Sequence, residues 1–335
     1  KGPSSAHDLS RPRASREAMS VGRNGEPRTR CFRRWCARRA GSGTGPKVKF
    51  PETPLILAGA LGGPLCIFLY TPLRNALTLA SQDAESTAWE LYQSTFDGGF
   101  ASGWTGGFAP VLPSCPQFCI MGPLFHFLKE ALGSVVLAVV LSATAETTIS
   151  IGSQTLNAQM AFNREQLASG SAQVPLWNPL VPFGPGTTVH VTRNIVAMCG
   201  LRIFSGPCKA GLECVLKLCR LQLPEGLKTF LADFVASMGS AVLSAPFNQL
   251  YNFAVTSQAY MDGSVVERFS LIGNFLMDSY LVFNNDGQVV GISATLARDL
   301  FMRCAYVATL YASFGAIERT AVLLWNRRRA PKTVD

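Results

Sequence analysis

Six apolar stretches, near residues 55–79, 116–128, 131–145, 189–216, 227–255 and 296–325, occupy most of the chain beyond residue 50 and restrict what it can fold into. Several reach the roughly 20 residues that a membrane-spanning helix needs. The rest are shorter or carry charge, as expected of helices that turn polar groups into a bundle and away from lipid. Hydrophobic residues make up 48% of the 335 and charged ones only 15%, a balance that favours a bilayer over two soluble domains.

The charge is unevenly placed. Residues 1–49 hold thirteen Lys and Arg against Asp8, Glu17 and Glu26, so this extension carries all of the chain's net +9. It is Arg-rich, contains Ser and is poor in acid, as mitochondrial targeting segments are, and it lacks the apolar periodicity that would bury a core. A solvated basic arm, a retained targeting segment and a contact with anionic lipid all stay open. Nucleic acid is not an implied partner, because no nucleic-acid-binding fold and no aromatic-interleaved basic surface accompanies the charge. An arm of this kind orders only against a partner, and neighbouring subunits are the expected one.

Six of the ten cysteines (Cys66, Cys199, Cys208, Cys214, Cys219 and Cys304) lie in apolar stretches and read as small buried hydrophobes. There is no CxxC pair, and His7, His126 and His190 are too scattered to complete a zinc site, so no metal or cofactor is implied; Cys31 and Cys36 are the one pair left without a role. The chain has no GxSxG elbow, no GxxxxGK phosphate loop and no paired carboxylates, and it is not read as an enzyme.

The stretches fall into related pairs. Gly59, Gly62 and Gly63 precede Thr71-Pro72-Leu73 in the first, and Ala236, Ser237, Gly239 and Ser240 precede Ala245-Pro246-Phe247 in the fifth. Small residues allow close helix approach in lipid, and proline bends a helix. Each is followed by a short amphipathic segment (88–92 and 271–276), an acid-glycine step (Asp97-Gly98-Gly99 and Asp286-Gly287) and another apolar helix. In the middle, 131–146 keeps an apolar helix without proline, and 152–186 is a longer stretch rich in Pro and Gly.

At this point the sequence resembles the mitochondrial carrier family. The run Gly99-Phe100-Ala101-Ser102-Gly103-Trp104-Thr105-Gly106, continuing through Pro110 and Pro116 to Phe125-His126-Phe127-Leu128-Lys129, looks like that family's loop helix and second membrane helix, and Ser244-Ala245-Pro246-Phe247-Asn248 looks like the start of its proline signature. The resemblance covers about 49–325. It implies an all-α membrane protein with six transmembrane helices in three pseudo-symmetric helix-pair repeats: 49–130, a divergent 131–222, and 223–326. A basic extension at 1–48 and a basic tail at 327–335 flank them. It also implies the mitochondrial inner membrane, with membrane lipids, including a bound phospholipid such as cardiolipin, as contacts.

In that family a Pro-x-acid-x-x-base signature lets the acid of one repeat pair with the base of the next, closing one side of a central cavity. Here Pro72 is followed by Arg74 at the acid position and Leu77 at the base position, and Pro246 by Asn248 and Tyr251. In the middle repeat the candidate acid is Glu146, with Ile149 in the base position. The second latch is eroded too: Phe125-His126 has His for the acid, Phe314-Gly315-Ala316-Ile317 lacks both partners, and Glu213 is followed by Leu216 with Lys217 one residue late. Neither latch keeps a complete ion pair.

Charges remain in the apolar stretches, and an intramembrane charge is a functional hypothesis in itself. Arg193, Asn194, Arg202 and Lys209 in the fourth, with Arg298, Asp299, Arg303, Glu318 and Arg319 in the sixth, either line a cavity for an anionic metabolite or pair with one another and sit at helix ends. Arg298 and Asp299, being adjacent, are not expected to face each other, and Asp233 and His126 are expected in capping or buried structural roles. The lost latches favour a carrier fold that no longer transports and serves as an accessory subunit of a large respiratory-chain or ATP synthase assembly, contacted through the extension. The alternative is a divergent solute carrier that exchanges a small, anionic metabolite by alternating access, closing through hydrogen bonds at Asn248, Gln249 and Tyr251.

Overall fold

The fold follows from a computed structural model that describes residues 53–329. The extension at 1–48, with Cys31 and Cys36, and residues 330–335 lie outside the described residues. In chain order the elements are α1 (Thr53–Leu69), α2 (Thr71–Leu79), α3 (Ala88–Ser94), a 3-10 turn (Phe100–Trp104), α4 (Phe108–Leu132) and α5 (Val135–Ala168). Then come α6 (Thr187–Cys199), a π-helical segment (Gly200–Phe204), α7 (Ser205–Leu218), α8 (Glu225–Thr256), α9 (Gln258–Asp262), α10 (Val265–Tyr280), a hairpin of β1 (Leu281–Phe283) and β2 (Val289–Ile292), and α11 (Ala294–Arg329). Basic residues expected in a tail from 327 instead continue α11 to Arg329.

Five helices are long and apolar enough to cross a membrane, and α1 with α2, bent by 51° at Tyr70, makes a sixth. This is a multi-pass membrane protein. Its surface is inverted relative to a soluble one: Leu61, Leu112 and Phe301 are exposed, whereas Ser142, Ser150, Asn157, Gln159 and Ser237 are buried. Lipid accepts the apolar exterior, while backbone and polar side chains must find partners inside. The spans pack in a ring in chain order, α1 on α4, α4 on α5, α5 on α6, α6 and α7 on α8, α8 on α11, and α11 back on α1.

The α1–α2 bend has a chemical cause. Pro72 has no N–H, so the carbonyl of Phe68, four residues earlier, loses its helical donor. The Trp104 indole supplies the replacement, donating to the Phe68 carbonyl at 2.7 Å while its ring stacks on Phe68. Pro246, by contrast, lies inside an unbroken α8. Close packing of α1 on α4 depends on Gly59 and Gly63, where an added Cβ would lie 2.5 Å from the Phe118 carbonyl oxygen and 2.7 Å from the Phe118 side chain.

The amphipathic segments at 88–92 and 271–276 are both helical, within α3 and α10, and each helix begins with a capping box: Thr87 with Glu90, and Ser264 with Glu267. In the middle section the expectation needs correcting. Helix α5 does not stop near 146 but runs to Ala168, and only 169–186 is irregular. Its second half reads as polar because Ser150, Ser153, Gln154, Asn157 and Gln159 are buried within the ring. The loop then packs back on that helix, with the Pro179 carbonyl against Gly152 and the Trp177 N–H donating to Gln159 Oε1 at 2.6 Å.

Candidate functional site

A polar cavity of about 50 Å³ lies within the ring, lined by residues of α1, α2, α4, α5, α6, α8 and α11. By that volume it has room for a few waters or a small ion. Three guanidiniums border it, those of Arg74, Arg193 and Arg303, and one carboxylate, that of Glu146.

Arg193 is the most firmly held. Its Nη2 donates to Gln154 Oε1 at 3.0 Å, to Asn194 Oδ1 at 3.0 Å and to His190 Nε2 at 2.8 Å, and its Nη1 reaches Asn248 Oδ1 at 3.4 Å. The guanidinium also lies 5.0 Å over the Tyr251 ring. Since guanidinium can only donate, His190 Nε2 is the acceptor and its proton sits on Nδ1, which has no partner. Arg303 is held far more loosely: among the described residues its hydrogen bonding is limited to one 3.4 Å contact from Nε to the Ser244 hydroxyl. Arg74 reaches the Gln154 carbonyl at 3.4 Å through Nη2, leaving its buried Nη1 unpartnered.

None of these cations pairs with the carboxylate. Glu146 Oε1 accepts from the neutral amide of Gln117 at 2.6 Å, and its Oε2 is buried without a partner. The Nδ2 of Asn248 is also buried and unpartnered. Donors therefore exceed acceptors around the cavity.

Arg74, Leu77, Asn248 and Tyr251 all border this cavity, and hydrogen bonds between neutral groups join the helices around them. The Tyr251 hydroxyl lies 2.9 Å from that of Thr155, Asn252 donates to the Leu77 carbonyl at 3.0 Å, and Asn157 donates to Asn75 Oδ1 at 3.2 Å. The α5 residues beside Arg74 and Tyr251 are thus Gln154 to Asn157. Glu146 and Ile149, the candidate positions of the middle stretch, do not take part in these contacts. Glu146 lies two turns, about 12 Å, further along the helix. Gly152, two residues before Gln154, admits the Pro179 carbonyl.

Of the other candidate contacts, several fall elsewhere. Lys209 pairs with Glu225 at 2.5 Å on a partly exposed rim, because it lies beyond the π segment near the end of the span. Arg298 is a clamp: it donates to the carbonyls of Ala80, Asp83 and Ser86, at 2.8, 2.7 and 2.8 Å, tying the end of α2 to the start of α11. It also bonds Asp299 at 3.0 Å, against expectation, since its side chain is long enough to fold around the helix to its neighbour. Arg202, re-aimed by the π segment, lies 5.2 Å over the Phe125 ring, with Nε and Nη2 unpartnered. Asp233 does hold a buried structural place, pairing with Arg319 and accepting from the Ser205 hydroxyl, whereas His126 is exposed and caps nothing.

Gln117 and Gln154 escaped the sequence reading because neutral amides in apolar helices give no charge signal. The hairpin was missed too, although Asn-Asp-Gly between Val- and Phe-rich runs marks such a turn. No family model matches the chain, and no curated protein does.

Proposed function

We propose that this protein is a mitochondrial-carrier-like membrane protein that binds a small anion at the centre of its bundle and moves it across the inner membrane by alternating access. One observation carries this reading: three guanidiniums border a polar cavity with a single carboxylate that pairs with none of them. Buried charge without compensation is costly, and an anion in the cavity supplies the compensation.

The three-repeat carrier architecture is part of the proposal. It is supported by the chain-order ring of spans, by the two capping-boxed helices that follow α2 and α8, and by the position of Arg74, Gln154 and Asn248 around one cavity. The repeats meet there through hydrogen bonds in place of ion pairs, which suits a gate that must open at low cost. The mitochondrial compartment rests on the sequence resemblance and the Arg-rich extension. Acyl chains of a phospholipid such as cardiolipin fit the apolar groove beside Pro72, Trp89 and Phe301.

The loss of ionic latches also favours the second reading, an accessory subunit of a respiratory-chain or ATP synthase assembly. Reconstitution separates the two. Purified protein in lipid vesicles is expected to exchange labelled anions from a panel of sulfate, phosphate and small carboxylates. No exchange or binding across the panel, with co-migration in a large complex that deletion of residues 1–45 loosens, would overturn transport in favour of the subunit role.

A further inference from the structure

The geometry points to Glu146 as a proton site coupled to the cargo: ionised when the central cavity is empty, protonated when an anion fills it. The inference rests on the anion site proposed above and assigns that site a second, chemically distinct ligand, the proton.

The argument starts from the two oxygens. Glu146 is 4% exposed; Oε1 accepts from Gln117, and Oε2 is buried without a donor. With no donor on Oε2, a proton can be added there without breaking a hydrogen bond. Once protonated, Oε2–H becomes a donor in a site whose other free groups, Arg74 Nη1 and Asn248 Nδ2, are donors as well. An all-donor cavity is what an oxyanion requires.

The surrounding charges make the protonation state depend on occupancy. Arg74 from α2, Arg193 from α6, and Arg303 and Tyr311 from α11 share the cavity with Glu146, Arg202 acts on it from the π segment, and α4 contributes the neutral Gln117. With the cavity empty, the guanidiniums favour the carboxylate, which offsets one of them. When an anion binds, it takes over that role, the attraction that held Glu146 ionised is largely offset, and burial then favours the neutral acid. On loading, the carboxylate takes one proton from water on the open side; on release, the acid returns it to water on the other side, so proton and anion travel together. The ionised Glu146 serves as the counter-charge while the empty bundle resets.

Linkage is reciprocal, so the test needs only binding. Detergent-solubilised full-length protein is titrated with sulfate, which does not itself titrate near neutral pH, in weakly buffered solution carrying a pH indicator. The expected result is uptake of about one proton per sulfate bound, with affinity rising up to tenfold per pH unit lowered. Glu146→Gln is expected to abolish the proton uptake and flatten the pH dependence, and Glu146→Asp to retain both. Sulfate binding by the wild type without proton uptake, or uptake that persists in Glu146→Gln, overturns the inference and leaves the anion site standing. If Glu146→Gln does not fold, Gln117→Leu, which strips the donor from Oε1, is expected to shift the pH dependence of sulfate affinity upward, and an unshifted profile overturns the assignment. Absence of binding to sulfate, phosphate and succinate alike overturns the anion site itself.

Discussion

The Trp104 indole N–H donates to the carbonyl of Phe68, the acceptor that Pro72 leaves without its helical partner. A proline bend in lipid exposes a backbone group that water cannot reach, so the bend and its donor belong together. Trp104→Phe keeps a ring to stack on Phe68 but strips the donor, and is expected to cost about 1–2 kcal/mol. In a Pro72→Ala background the Phe68 carbonyl regains a backbone donor, and the same change is expected to cost clearly less. Thermal unfolding of the four variants in detergent gives the double-mutant cycle; equal costs in both backgrounds would refute the pairing.

The sequence made the spans legible because apolar composition is what lipid demands, and four of the six stretches lie within about four residues of the observed helices at both ends, while the second begins well inside α4. It misled at α5, whose polar second half looked like a loop. Inside the ring Asn157 donates to Asn75 of α2 and Gln159 to the Val255 carbonyl of α8, and no local pattern reports that. The site was half legible. Arg193 and Arg303 announced themselves as charges in apolar helices, as did Lys209 and Arg298, yet only the first two face the cavity. Charge marks a residue as constrained, but helix phase and depth decide by what, and the π segment shifts that phase between Arg193 and Lys209.

Glycine substitutions should separate packing from tolerance. A Cβ at Gly59 would meet the Phe118 carbonyl oxygen at 2.5 Å, a backbone group that cannot rotate away, whereas Gly239 has nothing within 4 Å. Gly59→Ala is expected to destabilise by about 1–3 kcal/mol. Gly239→Ala is expected to be neutral or to stabilise by up to about 1 kcal/mol through helix propensity. Denaturation midpoints in mixed detergent check both, and a Gly239→Ala variant as unstable as Gly59→Ala would contradict the packing described.

The two capping boxes give α3 and α10 a shared pH response. Hydrogen bonds from the Thr87 N–H and hydroxyl hold the Glu90 carboxyl below its usual range, and the Ser264 N–H and hydroxyl do the same for Glu267. A depressed folded value means the stabilisation is complete above the ordinary glutamate value of 4.5 and fades as pH falls through the lower folded value. Amide exchange in both helices is therefore expected to lose protection selectively below about pH 4.5, relative to the intrinsic rate. Glu90→Gln and Glu267→Gln should remove that step, each in its own helix only.

Arg193 and Arg303 border the same cavity but should respond oppositely to removal. Arg193 satisfies Gln154, Asn194 and His190, so Arg193→Leu strands three buried acceptors and is expected to cost several kcal/mol, at about 1–3 for each group. Arg303 makes a single long hydrogen bond and holds an uncompensated charge in the bundle. Removing a buried charge that lacks a counter-charge relieves the desolvation cost that the empty fold otherwise bears. Arg303→Leu is accordingly expected to melt at or above the wild-type temperature without anion, yet to lose most of the stabilisation that sulfate confers. A loss of stability in anion-free protein would mean that Arg303 is held by the fold and not kept for a ligand, because only a ligand site retains a group that the empty fold is better off without.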